Sequence, residues 1–210
     1  LSVTITGTND AAVIDGDSTA SLTETDAVLT TGGQLTVTDV DSPASFVAQT
    51  DVAGSGGYGK FSIDADGAWT YRTDTALDEF QAGQTYTDTL TVATADGTTQ
   101  VLSVTITGTN DAAVIDGDST ANLTEGDTPL TTGGQLTATD VDSPATFVAQ
   151  TNVAGSGGYG RFSIDANGAW TYTTDTALDA FQDGQTYTDT LRVATADGTT
   201  QVLSVTITGT

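Results

Sequence analysis

The chain is expected to be all-β, built as two β-sandwiches in tandem, and three observations point there. The string LSVTITGT begins at Leu1, at Leu102 and again at Leu203, so a segment of 101 residues recurs without a gap. Within each copy the apolar residues alternate with polar ones, the period of a half-buried strand. Thr and Val, which suit a pleated surface, dominate together with Gly and Asp, which suit turns.

The elements follow in order. Val3 and Ile5 alternate with Thr4 and Thr6 and read as an opening strand; Leu35 with Val37, Phe61 with Ile63, Trp69 with Tyr71, and Leu90 with Val92 repeat the pattern. Turn signals separate them at Thr31-Gly32-Gly33, Asp41-Ser42-Pro43, Gly54-Ser55-Gly56-Gly57, Asp66-Gly67 and Asp96-Gly97. About seven short strands at this spacing indicate a sandwich of immunoglobulin type. One helical turn is expected over residues 75–81. Trp69 and Tyr71 are expected in the core, with a sugar-stacking platform as the other reading. The two domains are placed at 1–108 and 109–210. Only thirteen positions differ between the copies, so their identity cannot single out functional residues.

Composition excludes several chemistries. Cysteine and histidine are absent, which removes disulfides, thiolate metal sites, the commonest general base and the commonest transition-metal ligand. The 28 acidic residues against 4 basic ones give a net charge of −24. Nucleic acid and anionic membranes are poor partners for such a surface. No apolar run reaches membrane-spanning length, and no leader pattern opens the chain; the repeat phase is expected to start and stop within a longer array. Only Glu24, Glu79 and Glu125 are glutamates, and the remaining acids are aspartates, short carboxylates that supply hard oxygen ligands.

Simple sandwich order sorts these carboxylates by end. Glu24, Asp26, Asp78 and Glu79 fall at the far end of the first repeat. Asn110 and Asp111 lie in the connector, with Asp116 and Asp118 just beyond. Asp140, Asp142 and Asp197 fall at the near end of the second repeat. Carboxylates converging without Lys or Arg repel, and a calcium ion taking six to eight oxygens resolves that conflict. The alternative is that Asn110-Asp111 is only a turn and Asp140-Val141-Asp142 only a loop lip. Asp64-Ala65-Asp66-Gly67 opens like an EF-hand loop, but Trp69 and Tyr71 continue a strand, so a hairpin turn is expected there. The Thr-x-Thr pieces are too short and too far apart for a flat ice-binding array.

Three ordered elements carry a resemblance: Leu35-Thr36-Val37-Thr38-Asp39-Val40-Asp41, then Asp64-Ala65-Asp66-Gly67-Ala68-Trp69-Thr70-Tyr71, then Val104-Thr105-Ile106-Thr107-Gly108-Thr109-Asn110-Asp111. The chain resembles, over essentially its whole length and twice, the VCBS-type repeats of giant RTX-type bacterial adhesins, and more distantly the cadherin domains. The cadherin resemblance implies calcium held by Glu24, Asn110, Asp111, Asp140 and Asp142. It implies the same motif at Asn9, Asp10, Asp39 and Asp41, and Glu125 as the second copy of Glu24. Glu79 stands in the place of cadherin's second acidic loop but becomes Ala180 in the other copy. The implied function is a calcium-stiffened, monomeric spacer at the bacterial cell surface whose partners are neighbouring repeats. The alternative is an adhesive module that itself binds a carbohydrate or surface ligand. An enzyme is not expected.

Overall fold

The computed structural model describes all 210 residues, Leu1–Thr210, and divides into two units, Leu1–Thr109 and Asn110–Thr210. The structure is all-β and contains no helix. The first unit has eight strands: β1 (Val13–Gly16), β2 (Thr19–Thr23), β3 (Thr30–Thr38), β4 (Gln49–Ala53), β5 (Gly59–Ile63), β6 (Ala68–Thr73), β7 (Thr85–Ala93) and β8 (Thr99–Thr107). One sheet runs β1-β3-β6-β5-β4 and the other β2-β8-β7. All pairings are antiparallel except β2 with β8, which is parallel.

The second unit repeats this plan with β9 (Val114–Gly117), β10 (Thr120–Thr124), β11 (Thr131–Thr139), β12 (Gln150–Ala154), β13 (Gly160–Ile164), β14 (Ala169–Thr174), β15 (Thr186–Ala194) and β16 (Thr200–Thr208). Its sheets are β12-β13-β14-β11-β9 and β10-β16-β15.

Eight strands rather than seven arise because the first is split. Gly16, at φ 102°, breaks the chain between β1 and β2, so β1 pairs in one sheet and β2 in the other. The crossover is pinned by Trp69, whose Nε1 donates to the Asp17 carbonyl at 2.6 Å.

Period-two alternation builds the core. Leu35, Phe61, Ile63, Trp69 and Tyr71 of the five-stranded sheet pack with Val92, Leu102, Val104 and Ile106 of the three-stranded sheet, all 2 % exposed or less. Trp69 and Tyr71 are therefore core, and the sugar-platform reading fails because neither ring reaches solvent. Removing a side chain of this size from water contributes about 2–3 kcal/mol.

Three sequence expectations are corrected. Residues 1–12 form no strand, and Leu1, Val3 and Ile5 are exposed; the same string makes β8 and β16, where flanking strands bury its apolar face. Gly32 and Gly33 are not a turn but lie inside β3, opposite Thr70 and Trp69. Glycine is required there because a Cβ on Gly33 would sit 2.9 Å from Trp69 Nε1. Residues 75–81 form turns rather than a helical turn; Phe80 N donates to Leu77 O at 2.8 Å, and both side chains plug the core.

Candidate metal centre

The loop after β3 is shaped by its own aspartates. Asp39 Oδ1 accepts from Asp41 N at 2.9 Å and from Ser42 N at 2.7 Å, an Asx turn that fixes the lip of the loop. The entering segment docks on it: Asp10 N donates to Asp41 Oδ2 at 3.1 Å, and Ser42 Oγ donates to Asn9 Oδ1 at 3.0 Å. The β7–β8 turn completes the assembly, since Asp96 Oδ2 accepts from Asn9 Nδ2 at 3.3 Å and from Ala12 N at 3.0 Å. The structure thus brings Asn9, Asp10, Asp39 and Asp41 together around Asp96.

The second unit repeats the arrangement. Asp140 Oδ1 accepts from Asp142 N at 3.1 Å and Ser143 N at 2.8 Å, and Asp197 Oδ2 accepts from Asn110 Nδ2 at 3.5 Å and Ala113 N at 3.0 Å. Asp142 is buried, 6 % exposed. That burial, and then the neighbouring Asp140 carboxylate, push its carboxyl above the usual carboxylate range. Asp96 and Asp197 are shifted the other way. Hydrogen bonds from the Thr94 hydroxyl, then Thr98 N and Ala12 N, hold Asp96 well below that range. For Asp197 burial acts upward, but bonds from the Thr195 and Thr199 hydroxyls and from Ala113 N outweigh it.

Glu24 lies at the other end of the first unit. Its backbone N donates to Thr107 O at 2.8 Å, at the far end of β8 from the Asp96 turn. Nine residues of strand separate them, roughly 30 Å. Glu24 is 1 % exposed, and its Oε2 accepts from Thr109 N at 3.3 Å and Thr109 Oγ1 at 2.5 Å. An Asp78 carboxylate oxygen lies within 4.8 Å of one from Glu24. Glu125 is placed alike in the second unit, its Oε2 accepting from Thr210 N at 3.3 Å and Thr210 Oγ1 at 2.7 Å. Asp78 rather than the exposed Glu79 is the acidic-loop residue facing Glu24, so the Glu79/Ala180 difference leaves this end intact. The readable signal is that Asp78 recurs as Asp179.

These ends suit a hard cation. Glu24 Oε1 and Asp78 Oδ1 in the first unit, and Asp140 Oδ2 with both Asp142 oxygens in the second, are buried without a hydrogen-bond partner. The ion pairs, Lys60 with Asp74 and Arg161 with Asp175, lie elsewhere. Buried carboxylate oxygens without donors are costly, and a cation with an oxygen-only shell is the group that satisfies them. The EF-hand-like segment is different: Asp64 Oδ1 accepts from Asp66 N at 3.0 Å and Ala68 N at 2.9 Å, closing the β5–β6 hairpin.

Among solved structures the chain is similar to the protocadherin gammaB7 EC3-6 cis-dimer structure, with a TM-score of 0.53, 16 % identity, and coverage of 96 % of this chain and 48 % of that one. It is also similar to the protocadherin gammaB4 extracellular domain, at TM-score 0.52, 17 % identity, and 98 % and 33 % coverage. The chain thus spans half or less of these structures, and at such identity the likeness shows the fold. It is 29 % identical over 180 residues to the calcium-binding lectin RapA2 of Rhizobium johnstonii, covering 74 % of each chain. The model of the bacterial cadherin-like domain matches residues 9–108 and again 110–209, and the chain belongs to that family as two tandem copies.

Proposed function

We propose that the two repeats are calcium-stiffened extender units of a large secreted bacterial surface adhesin, projecting ligand-binding domains away from the cell. The observation that carries this reading is the set of buried, donor-free carboxylate oxygens on Glu24, Asp78, Asp140 and Asp142 in a chain of net charge −24. The cation would be held by Glu24 and Asp78 from the first repeat, Asn110 and Asp111 from the connector, and Asp140 and Asp142 from the second. Its role is to neutralise carboxylates and cross-link segments that otherwise repel. In an array, Asn9, Asp10, Asp39 and Asp41 would serve a repeat placed before this one, and Glu125 one placed after. On this reading the division between repeats falls at Gly108 and Thr109, partners are neighbouring repeats of the same chain, and the protein is monomeric, extracellular and not an enzyme. The relation to VCBS-type repeats of RTX adhesins belongs to the same proposal. Isothermal titration of the chelated two-repeat protein with calcium should show saturable binding that Asp140→Asn with Asp142→Asn removes. Heat that is unchanged in that variant would sink the assignment.

A second reading, an adhesive module that itself binds carbohydrate, is favoured by the similarity to a calcium-binding lectin. A glycan array probed with calcium present separates the two, since an extender gives no specific glycan signal.

A further inference from the structure

On the solvent face of the five-stranded sheet of the first unit, Asp51, Lys60, Arg72 and Asp74 line a cleft of about 180 Å³. Two of the chain's four basic residues are here, directly opposed across β5 and β6. Like charges in that position are unfavourable without compensation. Lys60 is compensated, since its Nζ lies 2.9 Å from Asp74 Oδ1. Arg72 is not: its guanidinium makes neither ion pair nor hydrogen bond. The Asp51 carboxylate is likewise unpaired, and only its backbone N is engaged, donating to Ser62 Oγ at 3.0 Å.

Asp51 is also held in an uncommon backbone state. With φ 51° it is, with its counterpart Asn152, one of two non-glycine residues in the left-handed region, at an irregularity in the β4–β5 register. Such bulges re-aim side chains, and residues in sparsely populated regions concentrate at ligand sites.

We propose that this cleft binds a small zwitterion, a molecule of zero net charge that presents a carboxylate to the Arg72 guanidinium and an ammonium to the Asp51 carboxylate. Arginine pairs with a carboxylate in a two-pronged geometry that fixes orientation. The net charge of −24 repels polyanions at a distance, while a simple cation finds carboxylates all over the surface. An unpaired cation beside an unpaired anion selects neither. The cleft is smaller than the usual 300–1,000 Å³ or so of drug-sized pockets, which limits the ligand to a few atoms.

The second repeat is a built-in comparison. There the lining residues become Asn152, Arg161, Thr173 and Asp175, so three of four differ, against thirteen differences in 101 positions overall. Its one cation is engaged, Arg161 Nε with Asp175 Oδ1 at 3.0 Å and Nη1 with Asn152 O at 3.2 Å. The free guanidinium and the free carboxylate are both gone, yet the strand register is the same.

The test is an amide NMR titration of the two-repeat protein with glycine, β-alanine and γ-aminobutyrate, whose charges are progressively further apart, against acetate and ethylammonium at matched ionic strength. Saturable shifts at Asp51, Lys60, Arg72 and Asp74 with at least one zwitterion, absent at Asn152, Arg161, Thr173 and Asp175, are expected. Arg72→Thr and Asp51→Asn, residues that the second repeat already carries in the same fold, should each weaken binding by about tenfold or more. Asn152→Asp with Thr173→Arg should create a second site. Equal responses to acetate alone, no saturable shift with any of the three zwitterions, or binding retained in Arg72→Thr would overturn the proposal.

Discussion

The hydroxyl of Tyr71 donates to Asp88 Oδ2 at 3.0 Å, and neither residue is more than 1 % exposed. Asp88 occupies an inward position of β7 and forms no ion pair, and the chain between β4 and β5 wraps it instead. Gly56 N donates to Oδ1 at 2.7 Å and Gly59 N to Oδ2 at 3.1 Å. Gly54 lies so close that any Cβ there would collide with the carboxylate. Asp189, Gly157, Gly160 and Tyr172 repeat the motif. Hydrogen bonds to a buried charged group are worth about 1.5–3 kcal/mol each. Tyr71→Phe should lower unfolding stability by that amount, and Asp88→Ala by more, because it also orphans backbone N–H groups. Urea denaturation with unchanged m-values measures both.

The same pair predicts an alkaline signature. Burial first, and then the Asp88 carboxylate, hold the Tyr71 phenol above its ordinary value of 10.0, and Tyr172 is raised likewise by burial and then Asp189. A folded value above the unfolded one means that the contribution is complete below pH 10 and is lost as pH rises further. Of six tyrosines, Tyr71 and Tyr172 should ionise last, together with unfolding. Ultraviolet titration in which all six ionise together in the folded protein would contradict this.

Acid acts through Asp96 and Asp197. Both are depressed below 3.8, so their contribution is present above that pH and lost as pH falls through the lower folded values. Asp96→Asn and Asp197→Asn should flatten the acid limb of the stability profile, followed by circular dichroism, while changing neutral-pH structure little.

Asp142 carries a prediction of opposite sign in two buffers. Its carboxyl is raised by burial and by Asp140, so ionisation at neutral pH costs stability when no cation is present. Asp142→Asn should therefore be neutral or stabilising in chelator, yet remove the gain that calcium gives the parent protein. A ligand bound only by the folded state adds roughly 2.7 kcal/mol at a hundredfold excess over Kd. Thermal melts with calcium, with chelator and with sodium chloride at matched ionic strength read all three terms.

At the other end, Glu24→Gln or Asp78→Asn should weaken calcium binding by about tenfold or more, since each would remove a charged oxygen from the proposed site. Glu79→Ala should not. Affinity lost in Glu79→Ala and kept in Asp78→Asn would reverse the placement drawn from the structure.

Much of the fold was legible because alternation is a local property: Phe61 with Ile63 and Trp69 with Tyr71 face inward as the pattern requires. The misreadings come from non-local causes. Gly32-Gly33 carries a turn composition but serves the indole of Trp69 from a neighbouring strand. The string at Leu1 has the pattern of a strand, yet a strand needs neighbours, which β2 and β7 give to its second copy and β10 and β15 to its third. The grouping of Asn9, Asp10, Asp39 and Asp41 was what the cadherin resemblance implied. The choice between Asp78 and Glu79 was not legible, because in a turn the facing side chain depends on which neighbours, here Leu77 and Phe80, are drawn into the core. Asp88 was not singled out in the sequence, because the glycine wrapping that holds it is a tertiary contact.

Small-angle scattering of the two-repeat protein tests whether calcium stiffens the pair. Profiles are recorded with calcium, with chelator, and with calcium on the Asp140→Asn/Asp142→Asn variant. Domains joined by a short linker move relative to one another unless something holds them. Calcium is expected to narrow the distribution of interatomic distances, and the variant in calcium to match the chelated parent while both repeats stay folded. Three superimposable profiles would contradict calcium as the stiffening agent.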